Sequence, residues 1–137
     1  MELLAKYRFD GGGEVSITDD LIFFESHGGM TLEAAQQLLE LFRLMHEKHG
    51  QFFLLVDLTD GGGVPAEVRR LLAKNTVTHA PAAVALYGAS LAVRGSNALM
   101  IAAVRLIGGP SQNITYRETA EEAHEWLAAE RKRLAAP

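Results

Sequence analysis

Residues 52–65 read Phe52-Phe53-Leu54-Leu55-Val56-Asp57-Leu58-Thr59-Asp60-Gly61-Gly62-Gly63-Val64-Pro65. A run of apolar residues ends in a carboxylate, a polar glycine-rich loop follows, and Pro65 opens a helix at its first position. A continuous apolar strand is what a parallel sheet buried on both faces requires. Pro at a helix start gives up only a backbone N–H that would have no partner there anyway. The stretch therefore reads as a buried parallel strand over Phe52–Leu58 handing over to a helix. In open α/β sheets, ligands collect at the carboxyl ends of such strands. That makes Asp57, Thr59, Asp60, Gly61, Gly62 and Gly63 the first candidate binding residues.

Upstream, the pattern has period two. Leu3, Ala5, Tyr7 and Phe9 alternate with Leu4, Lys6 and Arg8, and Asp10-Gly11-Gly12-Gly13 suits a hairpin turn. Val15 and Ile17 alternate with Glu14, Ser16 and Thr18, and Asp19-Asp20 turns the chain again. A third strand is expected over Leu21–Glu25. Phe23 and Phe24 point to opposite faces of it, so it belongs inside the sheet. His27-Gly28-Gly29 is expected to break it.

Downstream, helices and strands alternate. Thr31 caps a helix carrying Leu32, Ala35, Leu38, Leu39, Phe42, Met45 and His49 at helical spacing, closed by Gly50. After Pro65, Val68, Leu71 and Leu72 share a face. Ala82–Tyr87 is a short apolar strand ended by Gly88, and Ser90 caps a third helix running to Gly108-Gly109-Pro110. Ile114 and Tyr116 share a face of a last strand. Thr119-Ala120-Glu121-Glu122 is a capping box opening a final helix, with Ala123, Trp126, Leu127 and Leu134 toward the sheet. The expected fold is α/β: one domain over residues 1–137, a mixed sheet with an N-terminal antiparallel meander and later parallel strands, and about four helices.

Composition sets bounds on function. At 137 residues the chain can bury a core without staples. Net charge is −4 and the basic residues are scattered, with Arg131-Lys132-Arg133 alone clustered where a helix end favours cations. No nucleic-acid partner is expected. The chain has no cysteine, which excludes disulfides, thiol catalysis and cysteine-ligated metals. No apolar stretch approaches the roughly 20 residues of a membrane span. With no leader-like pattern at Met1–Lys6, a cytoplasmic location is expected.

Three features resemble the SpoIIAA-like branch of the STAS domains, which includes bacterial anti-sigma-factor antagonists and proteins grouped with Sec14-like lipid carriers. They are Val56-Asp57-Leu58-Thr59 leading into a helix, the short strand Ala83-Val84-Ala85-Leu86-Tyr87-Gly88 leading into another, and the ending Tyr116-Arg117-Glu118-Thr119-Ala120-Glu121-Glu122-Ala123-His124-Glu125-Trp126-Leu127. The resemblance implies a STAS-type fold over nearly the whole chain and a regulatory, protein-binding role. The antagonists carry a serine or threonine at the start of the helix after the buried strand, and its phosphate switches off binding to a kinase partner. Here Gly61-Gly62-Gly63-Val64-Pro65-Ala66 has no hydroxyl, and Thr59 lies several residues early. The resemblance thus implies the fold without the phosphoswitch.

The remaining chemistry is sparse. Asp57 and Asp60 could hold a divalent cation, but further carboxylates are not evident. Local roles suit them better, Asp57 accepting from loop N–H groups and Asp60 beginning a turn. The glycine run lacks the Lys-Ser or Lys-Thr of a phosphate-binding loop. His46 and His49 are three apart on a helix, without a third metal ligand, and His79 reads as a surface cap. No Gly-x-Ser-x-Gly elbow exists. No catalytic residue, metal or cofactor is assigned. Ser90, Arg94, Ser96 and Asn97 make a polar helix start, and Ser90, Arg94 and Asn97 join the Asp57 loop as a candidate surface. Met100, Ile101, Val104 and Ile107 widen that helix's apolar coverage: it is packed on two sides, or it faces a partner, a lipid tail or a second subunit. The readings, in order, are a protein-interaction domain, a carrier of a small apolar or lipid ligand, and a metal-dependent enzyme using Asp57 and Asp60.

Overall fold

The computed structural model describes residues 5–9, 13–61, 65–75, 79–88 and 113–135. Alternation along Gly13–Thr18, strand β2, buries Val15 and Ile17 and leaves Glu14, Ser16 and Thr18 half-buried. It pairs antiparallel with β1 (Ala5–Phe9) on one side and with β3 (Leu21–Gly28) on the other. The turn between β2 and β3 places Asp19 at φ 50°, a conformation Asp tolerates better than most residues. Phe24 is buried on one face of β3 and Phe23 packs on the other, so β3 is an interior strand as its two apolar faces predicted.

Parallel strands follow: β4 (Phe53–Gly61) beside β3, β5 (Ala83–Tyr87) beside β4, and β6 (Asn113–Arg117) outermost. The six-stranded sheet runs in simple order from β1 to β6. Two strands are longer than the sequence suggested. β3 continues through His27 to Gly28, and β4 continues through Thr59 and Asp60 to Gly61. The reason is mutual: each polar tail gives the other's backbone a partner, so the ladder runs on to the facing glycines Gly28 and Gly61.

Helix α1 (Leu32–His49) starts where the Ala34 N–H donates to Thr31 Oγ1 at 3.1 Å. It ends at Gly50, whose φ of 73° suits glycine and whose N–H donates to the His46 carbonyl. Its buried stripe is Ala34, Ala35, Leu38, Leu41, Phe42 and Met45; His49, placed on the stripe by spacing, is exposed in the last turn, where the helix dipole favours it. Helix α2 (Ala66–Asn75) begins just after Pro65, whose carbonyl accepts the Arg69 N–H. Helix α3 (Ala120–Ala135) is capped by Thr119: its hydroxyl accepts the Glu122 N–H at 3.2 Å and donates toward the Glu122 carboxylate. Three helices stand among the described residues; the one expected from Ser90 lies outside them.

Each face of the sheet carries its own core. Ile22, Phe24, Leu54, Val56 and Leu86 pack against Leu38, Phe42 and Met45 of α1, and Val68 joins α2 to α1 at Ala35. On the opposite face Phe53, Leu55, Ala83, Ala85 and Tyr87 pack against Ala123 and Leu127 of α3, with Phe23, Trp126 and Leu134 at the margin. The far end of α3 is tied down by Arg131, which pairs with Asp20 at 2.7 Å and lies 4.8 Å over the Phe53 ring.

Candidate functional site

On the α3 face, each apolar i, i+2 series ends in a polar residue at the carboxyl edge. Leu21 and Phe23 lead to Glu25, Phe53 and Leu55 to Asp57, Ala83 and Ala85 to Tyr87. The ladders bring these ends into one row, because directly paired residues share a face of the sheet. Arg8 pairs with Glu14, Glu14 with Glu25, Glu25 with Asp57, Asp57 with Tyr87, and Tyr87 with Arg117. A polar row thus crosses all six strands, with three carboxylates and a phenol between two arginines. Sequence reasoning selected only Asp57 from it. The signal for Glu25 and Tyr87 was their position at the end of an apolar i, i+2 series; Arg8, Glu14 and Arg117 follow or precede polar residues at that spacing and carried no such signal.

The row is internally bonded. Arg8 donates to Glu14 Oε1 at 2.8 Å from Nη2. Tyr87 is buried, and its phenol is pushed up to about 12, first by burial, then by the Asp57 carboxylate to which its hydroxyl donates, and last by Glu25. Asp57 Oδ1 also accepts the Thr59 N–H at 2.9 Å. The loop-donor role expected of Asp57 is therefore present, but inside a strand.

Asp60 departs from expectation. It does not begin a turn; it stays in β4 opposite His27, and His27 Nδ1 lies 3.6 Å from Asp60 Oδ2. The cause is a β-bulge. Between Glu25 and His27 β3 has one residue, while between the paired Asp57 and Asp60 β4 has two. The extra residue returns Asp60 to the face that carries Asp57, although the two are an odd number apart. Gly61, opposite Gly28, ends the strand where a Cβ would come 3.0 Å from Ser26 Oγ. Thr59 is exposed, with Oγ1 over Gly88, where a Cβ would lie 2.5 Å away.

The structure therefore brings Asp57, Thr59, Asp60 and Gly61 together at the carboxyl edge. Gly62, Gly63, Ser90, Arg94 and Asn97 lie outside the described residues, as do Met100, Ile101, Val104 and Ile107. Among the described residues no group of three or more His, Cys, Asp or Glu could hold a metal ion. His46 meets His79, not His49: their rings stand edge to face at 5.2 Å. No described helix is long and apolar enough to cross a membrane.

This architecture is a SpoIIAA-like fold. Among solved structures, the chain resembles an uncharacterised protein of the DUF3478 family from Shewanella loihica PV-4, which has that fold, with a TM-score of 0.57 and 18% identity over 82% of this chain and 90% of that one. At this identity the likeness extends to the fold alone. A second structure, Mglu, aligns at 11% identity over 77% of this chain but 19% of its own, and its TM-score of 0.37 carries no argument. No protein-family model matches the chain, and no curated protein matches it in sequence.

Proposed function

We propose that this chain is a non-catalytic interaction domain that engages a protein partner at the carboxyl edge of its sheet, centred on the junction between β4 and α2. The observation that supports this most directly is the division of labour between the two aspartates. Asp57 is held by the Thr59 N–H and the Tyr87 hydroxyl, as an architectural acceptor and not a free base. Thr59 and Asp60, together with Pro65, Ala66 and Glu67 at the start of α2, are exposed in a short span of chain. Exposed residues at the carboxyl end of a strand and the start of the next helix are a usual place for recognition. Gly62, Gly63, Ser90, Arg94 and Asn97 belong to the same proposed surface by sequence. The segment Gly61–Ala66 carries no hydroxyl, so binding here would not be gated by a phosphate at the helix start.

The test is affinity capture of partners from the native host with tagged wild-type protein, followed by titration calorimetry with each purified candidate. Asp60→Arg and Arg94→Glu are expected to weaken a true partner by about tenfold or more. Equal binding to wild type and both variants would sink the reading. Native mass spectrometry separates the alternative: extra mass lost on denaturation would identify a carrier of a small apolar ligand.

A further inference from the structure

The last part of β4 is specified by few interactions. Beyond the bulge, two pairs remain, His27 with Asp60 and Gly28 with Gly61. The first is an exposed contact between His27 and Asp60, with side chains 49% and 80% exposed, and the second has no side chains at all. Strand ends that are polar on both faces and rich in glycine carry little register information. Leu58 is different: it is buried with Val56 in the α1 face and fixes the chain up to that point. The unmatched residue is therefore Thr59.

We propose that the tail of β4 is a two-register element, with Asp57 as the latch that holds the bulged register. In the alternative register the bulge is absorbed. Leu58 stands opposite Ser26, Thr59 opposite His27, and Asp60 opposite Gly28. A shift of one residue carries the Asp60 side chain from the α3 face to the α1 face, beside Ser26. Ser26 is 5% exposed, and among the described residues its hydroxyl donates to the Gly28 carbonyl at a long 3.5 Å, a weak bond it can exchange for one to an arriving carboxylate. The consecutive glycines Gly61-Gly62-Gly63 in the sequence suit the change, because glycine adopts both backbone hands at little cost.

Several contacts hold the bulged register. Asp57 Oδ1 accepts the N–H of Thr59, the residue that must move, and Tyr87 holds the same carboxylate in place from β5. Thr59 rests over Gly88, and Gly61 fits against Ser26 where a residue with a Cβ would crowd it. The Asp57 bond is the one that acts on the bulged backbone itself. Its loss releases Thr59 to join the ladder, and the face on which Asp60 is displayed changes with it.

The cysteine-free sequence allows a direct test. The pair His27→Cys with Asp60→Cys reports the bulged register, and His27→Cys with Thr59→Cys reports the alternative, since only facing residues come within disulfide reach. Both pairs are oxidised in a glutathione buffer, with Asp57 intact and with Asp57→Ala. With Asp57 intact, the 27–60 cross-link is expected to dominate. In Asp57→Ala, the ratio of 27–59 to 27–60 cross-link is expected to rise by about tenfold or more. An unchanged ratio would overturn the proposal. Should Asp57→Ala fail to fold, Asp57→Asn keeps the side-chain volume with a weaker acceptor and is held to the same criterion. Both thiols lie within one chain, so the outcome is independent of any partner.

Discussion

At Tyr87 three effects act in one direction. Burial, the Asp57 carboxylate and Glu25 all oppose a phenolate, which is why the group ionises at about 12 instead of 10. The sign of the linkage follows. Above pH 10 the unfolded chain gives up this proton before the folded chain does, so stability falls as pH rises from 10 to about 12 and is unaffected by Tyr87 at lower pH. Ultraviolet titration of the phenolate band should show the Tyr87 contribution arriving late. Asp57→Asn should bring it back toward the ordinary value, by removing the negative charge and leaving burial in place. A titration curve identical in the variant would mean that Asp57 does not act on Tyr87. Gly13 makes a second residue-scale case. Its φ is 137° and a Cβ would collide with the Glu25 carbonyl on the next strand, so Gly13→Ala should cost more than about 2 kcal/mol in urea denaturation.

Elements differ in how openly their sequences state them. α3 was legible from Thr119 to Leu134, because its cap is local chemistry and its apolar residues recur at one period. The ends of β3 and β4 were not. Gly28 and Asp60 have low strand propensity, and the pairing of His27 with Asp60 and Gly28 with Gly61 carries both strands past the point where the sequence suggests a break. The Arg131 clamp on α3 was also hidden, since Arg131 lies far in sequence from both Asp20 and Phe53 and read as a dipole-favoured surface cation. The geometry separates its two contributions. Asp20→Asn removes the ion pair and keeps the guanidinium over the Phe53 ring, and should cost below about 1 kcal/mol. Arg131→Ala removes both, together with the packing of the aliphatic stem, and should cost about 1–2 kcal/mol. Equal losses in the two variants would show that the ring contact contributes nothing.

For the whole molecule, the decisive property is that two cores share one sheet. Leu54 and Val56 of β4 face α1, while Phe53 and Leu55 face α3, so neither core can dissolve without exposing the strand that backs the other. This was legible in the unbroken apolar run of β4, which makes sense only for a strand covered twice. The polar row from Arg8 to Arg117 was not legible as a row, because register between strands is set by tertiary pairing and not by any one segment. Shared burial predicts a single cooperative transition. Trp126, the only tryptophan, sits at the margin of the α3 core and reports its release, whereas far-ultraviolet circular dichroism includes the signal of α1 and α2 on the other face. In urea, the two signals should have coincident midpoints, and Arg131→Ala should lower both by the same amount although it touches only the α3 side. An earlier Trp126 transition, widened further by Arg131→Ala, would mean instead that α3 undocks while the α1 core persists, and that the sheet couples its two faces less tightly than their common strands imply.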